Sequence, residues 1–206
     1  MFIAKSPSVG LKIIDTFDRA NSNLTTPWTV TGTAIPIVSN EAGLTTTGAS
    51  QSLYGAALHA DSLVTNDQAA EFRRGTITFT SGTAVLFGWI HANTAMTQGC
   101  AFAISWTSTT AATASIYVPT ASNTYGTAKA TSAGLTTAAN DTFTMKNVGN
   151  VFTVYQNGVS RVTWTDASNT VPLANRRVVF ASQATNDFSG NCGARAVDWT
   201  AYDLAA

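Results

Sequence analysis

The stretch "VFTVYQNGVSRVTWTD", residues 151–166, decides the fold. It is two runs of apolar and β-branched residues hinged on Asn157-Gly158. Asn-Gly suits a two-residue type I′ turn, which needs φ > 0 at both central positions. Such a turn sets Gln156 opposite Val159 and Val154 opposite Arg161. One face of the hairpin then carries Phe152, Val154 and Val159, and the other carries Val151, Tyr155, Val162 and Trp164. A solvated face of an antiparallel sheet should alternate more cleanly than either of these. The second face is therefore expected to lie under a loop, the N-terminal arm or another subunit. Upstream, "TFTMKNVGN" adds a third strand through a second tight turn.

Outward from this meander, short β-type runs recur between clusters of Gly, Asn, Thr and Ser. They fall at residues 28–31, 52–58, 75–80, 84–92, 100–106, 114–118, 177–184 and 194–204. The best helical candidate is "AALHADSLVTNDQAAEF", whose apolar positions keep no steady helical period. Many short strands with frequent turns predict an all-β, two-sheet antiparallel sandwich or jelly roll. The expected organisation is an N-terminal arm over residues 1–14 and one sandwich domain over residues 15–206. A single core of that size can bury most of its chain surface without staples.

Composition narrows the function. Charged residues make up 11% of the chain, against roughly 25% in typical soluble domains. Eleven cations balance eleven anions, and the only basic doublets are Arg73-Arg74 and Arg176-Arg177. Nucleic-acid binding needs clustered basic charge, so no nucleic-acid partner is expected. No run is long and apolar enough to span a membrane as a helix. The opening "MFIAKSPSVGLKII" lacks the pattern of a signal peptide, so the expected site of synthesis is a cytoplasm. In a reducing compartment Cys100 and Cys192 read as small buried core residues before they read as a bridge.

The meander resembles one in concanavalin A-like, laminin-G-type jelly rolls. The residues that carry the likeness are Val148-Gly149-Asn150, Val154-Tyr155-Gln156-Asn157-Gly158 and Trp164-Thr165-Asp166. The opening "DTFDRANSNLTTPWTV" and the close "NRRVVFAS…ARAVDWTAYDL" resemble a variant of that family found in virion proteins of tailed bacteriophages, often from actinobacterial hosts. The resemblance covers nearly all of residues 13–206. It implies a jelly roll whose last strand pairs back near the N-terminus. It specifies fold better than function, because the fold hosts lectins, lyases, glucanases and structural modules.

Glycoside cleavage needs two carboxylates flanking the bond, and glucanases of this fold carry them closely spaced on one strand. Of the only glutamates here, Glu41 has no acid two or four residues away, and Glu71 has one, Asp67, four residues before it, with none two residues away. Neither His59 nor His91 sits in a triad setting, and no spacing fits zinc. No enzyme activity, cofactor or metal is expected. Calcium ligation by Asp15, Asp18, Asn21 and Asp198 is conceivable from the family's habits. The preferred reading is that Asp18 and Asn21 satisfy turn backbone groups.

Sugar binding would use exposed aromatic faces and a few polar groups. Trp28, Trp89 and Trp199 read as core. Trp106 and Tyr125 flank loops and are the candidate glycan-binding residues, drawn from a pool that also includes Trp164, Tyr54 and Tyr117. The arm carries Phe2, Ile3, Val9 and Leu11, which are candidate assembly contacts. The resemblance implies a non-enzymatic virion structural protein, a capsid-decoration, minor capsid or minor tail protein. It would meet other virion proteins, form a homo-oligomer, and reach the virion after assembly in the host cytoplasm. The alternative is a carbohydrate-binding module that recognises host surface glycans.

Overall fold

The structure, a computed structural model, describes residues 10–186 and 190–204. Phe2, Ile3 and Val9 of the expected arm lie outside the described residues. Sixteen strands follow in order: β1 (Lys12–Asp15), β2 (Ser22–Asn23), β3 (Trp28–Gly32), β4 (Pro36–Val38), β5 (Glu41–Ala42), β6 (Ser52–His59), β7 (Gln68–Phe79), β8 (Thr83–Ala92), β9 (Cys100–Trp106), β10 (Ala111–Tyr117), β11 (Ala130–Thr136), β12 (Thr142–Val148), β13 (Val151–Gln156), β14 (Val159–Thr165), β15 (Arg177–Thr185) and β16 (Cys192–Asp203). No helix occurs among the described residues.

The strands form two antiparallel sheets. One has nine strands in the order β14-β13-β12-β7-β16-β5-β4-β2, with β1 also paired to β16. The other has seven, in the order β11-β10-β9-β8-β15-β6-β3. As the resemblance implied, the last strand pairs back with the first, Lys12 opposite Tyr202 and Asp15 opposite Trp199. Strand β1 crosses the boundary drawn at residue 15, and Ile13 is buried. Leu11 is 39% exposed, while its N–H and C=O bond Asp203 at 2.9 and 3.0 Å.

Alternation along each strand builds the core between the sheets. Phe72 of β7 stacks on Phe102 of β9, centroids 5.2 Å apart, and Trp199 of β16 meets Trp28 of β3 edge-on at 5.1 Å. Each such side chain contributes roughly 1.5–3 kcal/mol by leaving water. A polar bridge also joins the layers: His91 Nε2 lies 3.0 Å from Asn147 Oδ1, and the Gln68 carboxamide oxygen accepts the His91 N–H. Cys100 and Cys192 are separate buried thiols.

The hairpin forms as its sequence requires, with φ of 51° at Asn157 and 78° at Gly158. Gln156 does face Val159, but Val154 faces Val162 rather than Arg161, because a bulge leaves Arg161 unpaired. The extra residue rotates Val162 and Trp164 onto the core face beside Phe152 and Val154, where Trp164 stacks on Phe152 at 5.5 Å. The opposite face keeps Val151; it and Val148 stay exposed at the β12–β13 turn, and Val159 stays exposed at the start of the edge strand β14.

The helical candidate is instead the end of β6, an irregular connection and the start of β7. Its middle is held by the Asp203 carboxylate, which accepts the N–H groups of Val64 and Thr65. Strand β7 is paired with β12 and β16 on its two edges, and Gln68, Ala69 and Ala70 are buried at both parities, so its start does not alternate.

Candidate functional site

Strand β8, "TAVLFGWIHA", is apolar at both parities because both its faces are covered. Ala84, Leu86 and Ile90 enter the inter-sheet core. Val85, Phe87 and Trp89 point to the outer face of the seven-stranded sheet, where they meet Ala101, Ala103 and Ala181 of the neighbouring strands. An outer face this apolar must be hidden or used. Much of it is hidden by the connection between β10 and β11, which folds back across the sheet.

Tyr125 is the residue that seats this connection. Its ring lies flat on Phe87, centroids 4.3 Å apart with planes 6° from parallel. It also meets Trp89 edge-on at 5.4 Å and Tyr117 at 5.7 Å. The Tyr54 hydroxyl, from β6, donates to the carbonyl of Ser122. A carbonyl can only accept, so the Tyr125 hydroxyl is left to donate to that of Tyr54. Burial pushes the pKa of both phenols up, and for Tyr125 the neighbouring Tyr54 adds to the rise. The Trp89 indole N–H lies near enough to the Tyr125 hydroxyl to favour its charged form, yet outside hydrogen-bond geometry.

This crossbar divides the face into two clefts. The larger, about 410 Å³, lies between Thr31 and Thr33 at the sheet edge and Ser122 and Asn123 of the connection, with Tyr54 as one wall. The smaller, about 230 Å³, has Val85, Phe87 and Ala103 as its floor and Tyr125 as its wall. Ser105, Ser115 and Gln183 line it as polar groups. Among the described residues, no carboxylate, imidazole, ammonium or guanidinium lines either cleft. The chemistry on offer is hydrogen bonding by hydroxyls and amides beside aromatic surface. A third depression, about 380 Å³, lies near the C-terminus beside Thr65, Asp67 and Leu204. Its carboxylate, on Asp67, already accepts the Gly149 N–H.

Of the two candidate glycan-binding residues, one lies at this site. Tyr125 forms a wall of the smaller cleft, with one ring face occupied by Phe87. Trp106 is a correction: it is fully buried between the sheets, edge-on to Phe143, and its indole donates to Thr137 Oγ1 at 3.0 Å. It continues the inward parity of Cys100, Phe102 and Ile104, a signal present in the sequence. Ser122, Asn123 and Gln183 carried no local signal. They become neighbours of Tyr54 and Tyr125 only through strand pairing, as when Gln183 falls opposite both Tyr54 and Val85.

The oxygen-rich residues near the first strand do not converge. Both Asp15 oxygens receive the Arg19 guanidinium, and they also accept the Trp28 indole N–H and the Phe17 N–H. Asp198 pairs with Arg73 at 2.7 Å, and Asn21 accepts the Ser39 N–H. Among the described residues, no three acidic, histidine or cysteine side chains gather as a metal site would need.

No protein-family model matches the sequence, and no curated protein matches it. Solved structures do match the fold. The carbohydrate recognition domain of Emp46p, in its metal-free form, is similar over 88% of this chain and 90% of its own, with TM-score 0.61 and 11% identity. A legume lectin-like domain from Entamoeba histolytica has TM-score 0.57 and 12% identity, over 87% of this chain and 91% of its own. A LamA variant from Z. galactanivorans, in complex with laminaritriose and laminaritetraose, has TM-score 0.66 and 8% identity, over 96% of this chain and all of its own. At such identities the likeness is one of fold: a concanavalin A-like, legume-lectin-type sandwich.

Proposed function

We propose that this chain is a non-catalytic carbohydrate-recognition domain that binds a neutral glycan on the outer face of its seven-stranded sheet. The observation that carries this reading is the pair of clefts around the Tyr54–Ser122–Tyr125 junction, lined among the described residues by hydroxyls, amides and aromatic rings and by no charged group. Sugars present apolar ring faces and many neutral hydroxyls, and a site for them needs these two kinds of surface together. The carbohydrate-recognition and lectin-like neighbours support the reading.

Glycoside hydrolases share the fold as well. Cleavage requires two carboxylates within about 5–9.5 Å of each other across the bond. Glu71 and Glu41 belong to the other sheet, where they accept the Thr144 hydroxyl and the Thr76 N–H. Recognition without cleavage is the chemistry these clefts favour.

A finer reading concerns where the domain works. The likeness of the opening and closing segments to phage virion proteins supports display on a particle, as capsid decoration or a minor tail protein, with glycan recognition serving attachment to the host surface. The exposed Val148 and Val151 at the β12–β13 turn and Val159 on the edge strand β14 suit contact with other virion proteins or a second copy. Cryo-electron images of particles bearing the labelled protein test this location.

The binding reading is tested on a glycan array, followed by calorimetry with Gln183→Ala and Ser105→Ala, both in the smaller cleft. Each should weaken binding roughly three- to tenfold, the worth of one hydrogen bond. An array with no neutral glycan bound, or affinity indifferent to both changes, refutes it.

A further inference from the structure

Resting on the glycan reading above, we infer that the site takes the end of a neutral glycan chain and does not span the middle of one. The argument is the shape that Tyr125 imposes. Strand pairing arranges the outer face in rows that cross the strands. Gln183, Val85 and Ser105 form the first row, Ala181, Phe87, Ala103 and Ser115 the second, and Val179, Trp89, Ala101 and Tyr117 the third. Successive rows lie about 6.6–6.8 Å apart, two residues along a strand.

The smaller cleft begins over the first row and reaches the second, where Tyr125 lies flat on Phe87; beyond that wall only Tyr117, at the far end of the third row, still lines the cleft. The rest of the third row is sealed. Val179, Trp89 and Ala101 have no exposure at all, and Met96, from the connection between β8 and β9, packs into the same cluster. A groove that accepted the middle of a chain would have to continue over this row.

Sideways the cleft is also bounded. Tyr54 stands opposite Gln183 in the pairing and is tied by its hydroxyl to Ser122 and Tyr125. That junction separates the 230 Å³ cleft from the 410 Å³ one. The smaller chamber falls below the roughly 300–1,000 Å³ of sites for drug-sized ligands. It suits one ring, with the rest of the chain leaving towards solvent. The polar groups at its mouth, Gln183 and Ser105, face that single ring. With no charged side chain among the described residues that line it, the preferred end is an uncharged sugar and not a sialic or uronic acid, whose carboxylate would lose its hydration without a partner.

The test uses laminari-, cello- and malto-oligosaccharides and the corresponding soluble polymers, with stoichiometry and affinity per chain measured by calorimetry. Chain-end recognition predicts one protein per chain at every length, with affinity per chain unchanged within about twofold. Modifying one chain terminus should abolish binding, and modifying the other should not. Several proteins per polymer, with affinity per chain growing with length, overturns the inference and leaves the glycan reading standing. Failure of every oligosaccharide and polymer to bind overturns both. Tyr125→Ala supplies a second readout: loss of the wall should weaken the short oligosaccharide about tenfold. Unchanged affinity in a variant that still melts cooperatively removes Tyr125 from the role.

Discussion

Asp15 is the residue whose removal tests the architecture most sharply. Its carboxylate is 8% exposed and receives the Phe17 N–H at 2.8 Å, the Trp28 indole N–H at 2.7 Å and both ends of the Arg19 guanidinium at 2.9 Å. Trp28 is itself buried and packs on Trp199 and His59. In Asp15→Ala the indole and the Phe17 amide lose their acceptor, and each orphaned donor costs about 1–3 kcal/mol. Arg19 is 38% exposed and can turn to water, so its pairing adds at most about 1 kcal/mol. The expected loss is about 3–5 kcal/mol. For a chain of this length that lowers the melting temperature by roughly 6–20 °C, readable by calorimetry or circular dichroism.

Acid titration gives an independent reading of the same residue. Burial alone would raise the Asp15 pKa, but the donors from Arg19, Trp28 and Phe17 outweigh it and hold the carboxyl below its ordinary value. The stabilisation is therefore complete above the unfolded pKa of about 3.9 and is lost as pH falls towards the lower folded value. Wild type and Asp15→Ala should converge in that acid range. A loss under about 1 kcal/mol at neutral pH, or a gap that survives acid, would refute the account of this corner.

Gly158→Val should cost about 1–2 kcal/mol from backbone strain alone, because φ is +78° and an added Cβ meets nothing within 4 Å; a neutral melting shift contradicts it. Gly88→Ala drives a methyl to 2.4 Å from Phe102 and should cost about 1–3 kcal/mol by overpacking, again read by melting. Glu41→Gln and Glu71→Gln should leave glycan affinity unchanged, and wild type should release no reducing ends from laminarin; cleavage lost in either variant would restore an enzymatic reading. His91 is held below its ordinary pKa, chiefly by burial. The unfolded chain therefore gains a proton near pH 6.5 that the folded chain resists. Melting at about pH 5.5 should lie below that at about pH 7.5, and His91→Gln should shrink the difference.

The meander was legible because an Asn-Gly turn between alternating runs leaves few other conformations open. Its bulge was not: Arg161 carries no Gly or Pro to mark it, and one unpaired residue moved Val162 and Trp164 to the opposite face. The start of β7 hid as a helix because Gln68, Ala69 and Ala70 are buried at both parities and so do not alternate. Strand β11 lies at a sheet edge, polar and bent at Gly134, and offers little apolar signal. Tyr125 stood out as an aromatic in a polar loop, but the cleft it bounds is assembled from β8, β9, β10 and β15. Pairing between segments so far apart in sequence is a long-range outcome that local patterns do not encode.

The central claim is that a sugar sits on the outer face of the seven-stranded sheet. A crystal structure of the protein with its best-bound neutral oligosaccharide tests it most directly. The account predicts a terminal ring seated against Tyr125, its hydroxyls bonded to Gln183 and Ser105, and the remaining sugars pointing away from the sealed row at Trp89. Sugar density on the nine-stranded sheet, or a chain running unbroken over Tyr125, would contradict it.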